Sequence, residues 1–198
     1  MTLPFLFTVF LAIYDRHRRG SMLLSAQVGV VLAVFSLALV SRPLRGAMQR
    51  SEQAHNETLH GVAAPGFDTV DIFGNPQRLA DQKNKVVLVN IWATWCGPCR
   101  AEMPQLDALY KSRKNQGLIV FGMSNENVAQ QRAFLEQVPV SYPLLTLNGQ
   151  VPNLYRDIVR YPGIFLIDRQ GRLQRAPEPG QPFGKLEAAV DALLKDRT

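Results

Sequence analysis

Apolar positions run through this 198-residue chain in two manners. In residues 1–60 they form two uncharged, mainly apolar stretches, 3–14 and 22–41, set among arginines and other polar residues. From residue 61 onward they come in short blocks separated by Gly, Pro, Asn and Asp. Residues 85–92, KVVLVNIW, are nearly continuous and rich in valine, the pattern of a strand covered on both faces. In residues 99–117, CRAEMPQLDALYKSRKNQG, the positions Met103, Leu106, Leu109 and Tyr110 recur at three-to-four spacing and Gly117 supplies a stop, which predicts a helix. Residues 118–123, LIVFGM, predict a second buried strand. Strand, helix and strand within about 40 residues make a βαβ unit, with a right-handed crossover and a parallel pair.

Beyond that unit, residues 128–137 have helical composition and 142–147, YPLLTL, predict a short strand. Residues 163–168 read as one arm of a hairpin, Gly171 as its turn, and the return strand starts at Arg172. In residues 185–195, Leu186, Ala189, Val190, Leu193 and Leu194 lie on one face of a last helix. The sum is an α/β domain over 61–198 with a mixed central sheet, parallel pairs first and an antiparallel hairpin near the end. A unit of about 140 residues buries roughly two-thirds of its unfolded surface.

The N-terminal stretches have a different physical reading. Residues 22–41 hold 20 residues without a charge, and at about 1.5 Å per residue such a helix reaches about 30 Å, one hydrocarbon thickness. They predict one transmembrane anchor. A cleaved signal peptide is the alternative, but the run exceeds an h-region and no small-x-small cleavage site follows it. Residues 3–14 are too short to cross alone, so 1–21 is a short apolar and basic segment. Residues 42–60 are polar, contain the triplet Asn56-Glu57-Thr58, and read as a tether. Arg16, Arg18 and Arg19 before the span match Arg42, Arg45 and Arg50 after it, so the positive-inside rule leaves its orientation tied.

Charge adds little. The chain carries a formal +6, but residues 61–198 hold 16 basic against 13 acidic side chains. No basic stripe accompanies that small excess, and nucleic acid is set aside as a partner.

Both cysteines fall in residues 90–104, NIWATWCGPCRAEMP, two residues apart. Buried free thiols would explain their number, and a purely structural disulfide would close too small a loop to remove much chain entropy. Zinc wants four ligands, whereas residues 61–198 offer two Cys and no His, since His17, His55 and His60 all precede them. Two thiolates could hold Cu(I), which leaves a copper- or thiol-binding chaperone as an alternative of a different class. A redox reading explains the placement as well. Cys96 stands where strand gives way to helix, facing unpaired N–H groups and the positive end of the macrodipole, which favours thiolate. Pro98 is tolerated in the first turn, and Cys99, one turn further in, would be the resolving thiol. Lowering a thiol pKa from about 8.5 to about 7 raises the thiolate fraction at neutral pH roughly 16-fold, while the Brønsted slope takes back roughly 5-fold. The motif is thus suited more to setting the direction of electron transfer than to raw speed. With no histidine in the domain, a Cys-His hydrolase is ruled out.

WCGPC after an apolar strand, Pro104 inside the helix, and YPGIFLID before a hairpin resemble the thioredoxin fold. More narrowly, APGF at 64–67, VVLVNIWATWCGPCRAEMP and FLIDRQGRL behind an anchor resemble the TlpA-like membrane-anchored thiol:disulfide oxidoreductases, related to ResA and DsbE. The resemblance implies a thioredoxin-like three-layer fold, a nucleophilic Cys96, a resolving Cys99 and a cis peptide bond before Pro162. It also implies that Tyr161 offers its backbone to the client chain, with Trp95, Gly97 and Pro98 in the same contact surface, and that Glu102 serves near the active site. Asn90 stands where thioredoxin keeps a buried Asp, and an amide cannot relay a proton. Arg160 and Gly163-Ile164 depart from the family's usual residues around the proline. CGPC in place of CPTC favours a general reductant over a haem-specific one.

The resulting expectation is a bacterial inner-membrane protein, single-pass, with its catalytic domain in the periplasm, reducing disulfides in client proteins. Cytochrome c or copper-site maturation are candidate settings. No cofactor and no metal are expected. Electrons would come from a membrane donor of the DsbD/CcdA type. The same pair run in reverse, as a disulfide oxidase or isomerase, is the alternative within the enzyme class.

Overall fold

A nearly unbroken valine run can be buried on both sides only if helices or loops cover both faces of its sheet. The structure, a computed structural model, describes residues 59–156, 161–178 and 180–196, all within the unit His55–Thr198. In chain order the elements are β1 (Asp68–Val70), β2 (Pro76–Arg78), a 3₁₀ turn at Leu79–Gln82, β3 (Val86–Ile91), α1 (Gly97–Arg113), a 3₁₀ turn at Lys114–Gln116, β4 (Leu118–Ser124), α2 (Val128–Leu135), β5 (Leu144–Thr146), α3 (Asn153–Arg156), β6 (Gly163–Ile167), β7 (Leu173–Gln174) and α4 (Phe183–Lys195).

The main sheet has the order β5-β4-β3-β6-β7. β3 runs parallel to β4 and antiparallel to β6, β4 runs parallel to β5, and β6 and β7 form the antiparallel hairpin. The expected mixed sheet is therefore present. Alternation along β3 builds a core on each face. Val86, Leu88 and then Trp92 pack with Met103, Leu106 and Leu109 of α1 and Leu186, Val190 and Leu194 of α4. Val87, Val89 and Ile91 pack on the other side with Phe67, Phe121 and Tyr155. Each such side chain, fully buried, contributes about 1.5–3 kcal/mol, which fixes the register of β3 and hence where its C-terminal end delivers the chain.

α1 starts at Gly97 with Cys96 as its cap, in keeping with a strand-to-helix switch at Cys96 and Pro98 in the first turn. α1 itself ends at Arg113, four residues before the expected stop, and Gly117 closes the 3₁₀ turn that follows: its φ is 103°, a left-handed conformation that glycine adopts without strain. α2 ends at Leu135 and α4 begins at Phe183, so both differ from the expected bounds by two residues.

Two pieces go beyond the sequence reading. The β1–β2 hairpin covers the β5 edge of the sheet: Asp71 bridges to Leu145, and Ile72 N donates to Leu144 O at 2.9 Å. The Asp71 carboxylate closes the hairpin by accepting from Phe73 N and Asn75 N at 2.8 and 2.9 Å. The single turn α3 buries Tyr155 in the second core. Among the described residues no helix is long and apolar enough to cross a membrane. The run at 22–41 expected to do so, the segment 1–21 and the tether as far as residue 58 lie outside the described residues.

Candidate active site

β3 ends at Ile91, and the next five residues turn the chain into α1. Cys96 is the N-cap: its Sγ accepts from Cys99 N at 3.2 Å, and Pro98 occupies the first turn, where its missing N–H leaves nothing unpaired. The two sulfurs are bonded to each other at 2.04 Å, with Cα atoms 5.3 Å apart. Cys96 is 4% exposed and Cys99 is fully enclosed, while Gly97 and Pro98 between them are exposed. An incoming sulfur therefore meets Cys96 first.

The other predicted residues arrive from different parts of the chain. β6 starts at Gly163, opposite Ile91, which sets Pro162 level with the end of β3. The Tyr161–Pro162 peptide bond is cis, and Pro162 is buried. Trp95 is 69% exposed, and its ring lies 5.2 Å from that of Tyr161, edge to face. Burial pushes the Tyr161 hydroxyl above its ordinary range, and the Glu126 charge adds to the shift. So Cys96, Gly97, Pro98, Trp95 and Tyr161 share one surface, with an aromatic pair beside the accessible sulfur.

Glu102 and Cys99 lie one turn apart on α1. Glu102 is half-buried, and burial pushes its carboxyl up. Its enclosed Oε2 has no hydrogen-bond partner among the described residues, and neither has Trp92 Nε1, while the enclosed Asn90 side chain and Tyr142 Oη face each other without a well-formed bond. These atoms line one side of the sheet: Asn90 and Trp92 alternate with the apolar residues of β3, and Tyr142 packs in the same core. Burial raises the Tyr142 hydroxyl first, then the Asp107 charge; the facing Asn90 side chain opposes them and the Glu102 charge adds further. Orphaned buried polar atoms are rare in folded proteins, and a catalytic or redox role is one of the reasons they are kept. Trp92 is fully buried in the core, yet its N–H belongs to this set.

One contact has no counterpart in the sequence reading. Thr94 N donates to Glu126 Oε2 at 2.7 Å, and Thr94 Oγ1 donates to Glu126 Oε1 at 2.6 Å. Glu126 lies 32 residues beyond Thr94, so no local spacing could pair them. The available signal was Asn127-x-x-Gln130, a capping pattern that marks a helix start and so a fixed backbone at this position. Among the described residues no three His, Cys, Asp or Glu side chains are grouped to hold a metal ion.

The family model of AhpC/TSA matches residues 60–176. The thioredoxin-like protein YneN of Bacillus subtilis (strain 168) is 33% identical over 117 residues, which are 58% of this chain and 68% of that protein. The thiol-disulfide oxidoreductase ResA of Bacillus cereus (strain ATCC 10987 / NRS 248) is 29% identical over 160 residues, covering 80% of this chain and 90% of the relative. Among solved structures, a Chlorobium tepidum protein assigned as the thiol:disulfide interchange protein DsbE superposes with a TM-score of 0.61 at 32% identity, over 68% of this chain and 97% of that one.

Proposed function

The chain belongs to the AhpC/TSA family and is a thiol-disulfide oxidoreductase of thioredoxin-like fold, and from that premise we propose that it reduces disulfides in client proteins on the outer side of a bacterial inner membrane. The observation that carries the reading is the asymmetry of the pair: Cys96 at the capped end of α1, 4% exposed, over a fully enclosed Cys99. In the reduced protein the Cys96 thiolate attacks one sulfur of the client disulfide, forming a mixed disulfide and releasing the first client thiolate. Cys99 then gives up its proton, attacks the Cys96 sulfur and releases the second. Two electrons have passed to the client, and the chain is left with the Cys96–Cys99 disulfide. Glu102, one turn away with a bare oxygen, takes the Cys99 proton in this scheme. The exposed Trp95 ring, the half-buried Tyr161 beside it and the backbone at Tyr161 receive the client chain.

Location and supply follow from the same reading. The 22–41 stretch tethers the domain to the membrane, and a membrane dithiol donor of the DsbD/CcdA type returns the electrons. The general CGPC pair suits several clients, among them proteins undergoing cytochrome c or copper-site maturation. Replacing Cys99 by Ser tests the reading, because the second step is then blocked. Mixed disulfides joining Cys96 to client proteins should accumulate in the membrane fraction and vanish on adding dithiothreitol. Absence of any trapped species, with the variant folded and its Cys96 thiol titratable, sinks the reductase reading.

A further inference from the structure

Trp95 carries a large apolar ring at the accessible sulfur without burial to hold it, since it is 69% exposed. Its position must be set by the backbone on either side. On one side Cys96 is fixed by the start of α1, and its N–H closes a turn onto Ala93 O at 3.1 Å. On the other side Thr94 is gripped through two groups by one carboxylate, at 2.7 and 2.6 Å. Bonds from N–H or O–H donors to an ionised oxygen are roughly twice as strong as neutral ones.

The carboxylate is itself anchored. Glu126 N donates to Ser124 Oγ at 3.2 Å, and Ser124 Oγ donates back to Glu126 Oε2 at 3.2 Å. The Glu126 carbonyl accepts from Gln131 Nε2 at 2.8 Å, and the fully enclosed Gln131 also reaches Thr146 Oγ1 at 3.1 Å, tying the segment to β5. The next residue, Asn127, caps α2 with a two-way capping box. A side chain whose own N–H and C=O are both fastened does not follow a moving turn; the turn follows it. The same carboxylate is close enough to bear on the Tyr161 hydroxyl, the other half of the aromatic pair.

We propose that Glu126 is a positioning residue of the exchange reaction: it fixes the turn at Thr94 and Trp95, and through it the aromatic face across which a client polypeptide lies as its disulfide approaches Cys96. This rests on the reading that the pair exchanges with protein disulfides. A small disulfide needs the sulfur alone and makes no use of that face, whereas a polypeptide needs both.

The test compares reduction of insulin and of cystamine by the full chain, with dithiothreitol as reductant, for wild type, Glu126→Ala, Glu126→Gln and Thr94→Val. Misplacing a contact surface by an ångström can lower the rate by up to about 100-fold, so Glu126→Ala is expected to lose roughly tenfold in kcat/KM on insulin, mainly through KM, with cystamine changed less than about twofold. Glu126→Gln keeps an oxygen for the Thr94 N–H and is expected within about threefold of wild type on insulin. Trp95 fluorescence in Glu126→Ala should become more accessible to iodide. Thr94→Val removes one of the two bonds and carries the test if Glu126→Ala does not fold, with an expected loss of about threefold on insulin alone. Wild-type kinetics on insulin in Glu126→Ala, or in Thr94→Val where that variant stands in, overturn the inference. So does an equal loss on both substrates, which would mark a general structural role. A wild-type chain inert toward insulin and cystamine alike would instead overturn the reductase reading on which the inference stands.

Discussion

Helix α1 buries two carboxyl groups, Glu102 near the cysteines and Asp107 further along, and treats them in opposite ways. Burial pushes both upward. At Glu102 nothing answers it, so the carboxyl stays raised and its enclosed oxygen is bare among the described residues. At Asp107 hydrogen bonds outweigh burial and the carboxyl is held below its ordinary value: Lys111 Nζ, Ser141 Oγ and Ser141 N all reach it at 2.6 Å. Asp107 thus staples α1 to the chain leading into β5, and its charge is fully used. Burial does not distinguish a structural carboxylate from a reactive one; the supply of donors does.

Exchanging each carboxylate for its amide turns the contrast into measurements. Glu102→Gln removes the proposed proton acceptor, and resolution of the mixed disulfide is expected to slow by about 100-fold in stopped-flow fluorescence. The wild-type rate should climb with pH through the raised Glu102 pKa, a limb that the variant lacks. Stability should move the other way. A raised folded pKa means that the protonated form favours the fold, a contribution complete below about pH 4.3 and lost as pH rises through the folded value, so the variant should be no less stable than wild type at neutral pH. Asp107→Asn is expected to reverse the pattern, losing about 1–3 kcal/mol in urea unfolding with little change in exchange rate. Its contribution is present above about pH 3.9 and lost as pH falls through the lowered folded value. If the two variants behaved alike, the contrast between the carboxylates would fall.

Smaller changes sharpen it. Gly122 lies under the same core: a Cβ there would run into Leu144 Cδ2 first and stand 3.1 Å from Tyr142 Cε2 and 3.2 Å from Trp92 Nε1. Gly122→Ala is expected to cost about 1–3 kcal/mol and to shift the Glu102 limb of the pH profile, because it moves Tyr142. Tyr142→Phe deletes a hydroxyl without a well-formed partner and should change stability by less than about 0.5 kcal/mol, as read from the urea midpoint.

The parts of the molecule legible in the sequence were those whose signal is local. β3 and α1 announce themselves because six consecutive residues, Val86 to Ile91, are all buried and because Met103, Leu106 and Leu109 repeat at helical spacing. The cysteine pair is legible because its chemistry sits in adjacent residues at a helix start. Tyr161 and Pro162 came into view only through resemblance, since nothing in their own spacing points to Cys96. The β1–β2 hairpin left almost no trace: β2 opens with a proline, β1 buries one residue of three, and both exist by pairing with each other and covering an edge. The Thr94–Glu126 grip and the orphaned atoms of Asn90, Trp92, Glu102 and Tyr142 are properties of enclosure, which residue types and spacings do not encode.

The reducing direction of the reaction is the central claim, and the reduction potential of the Cys96–Cys99 couple tests it most directly. The full chain in detergent, equilibrated against graded dithiothreitol buffers, is expected to give a value near or below roughly −220 mV, alongside thioredoxin-type reductants. A value above roughly −150 mV would mark an oxidant and contradict the account.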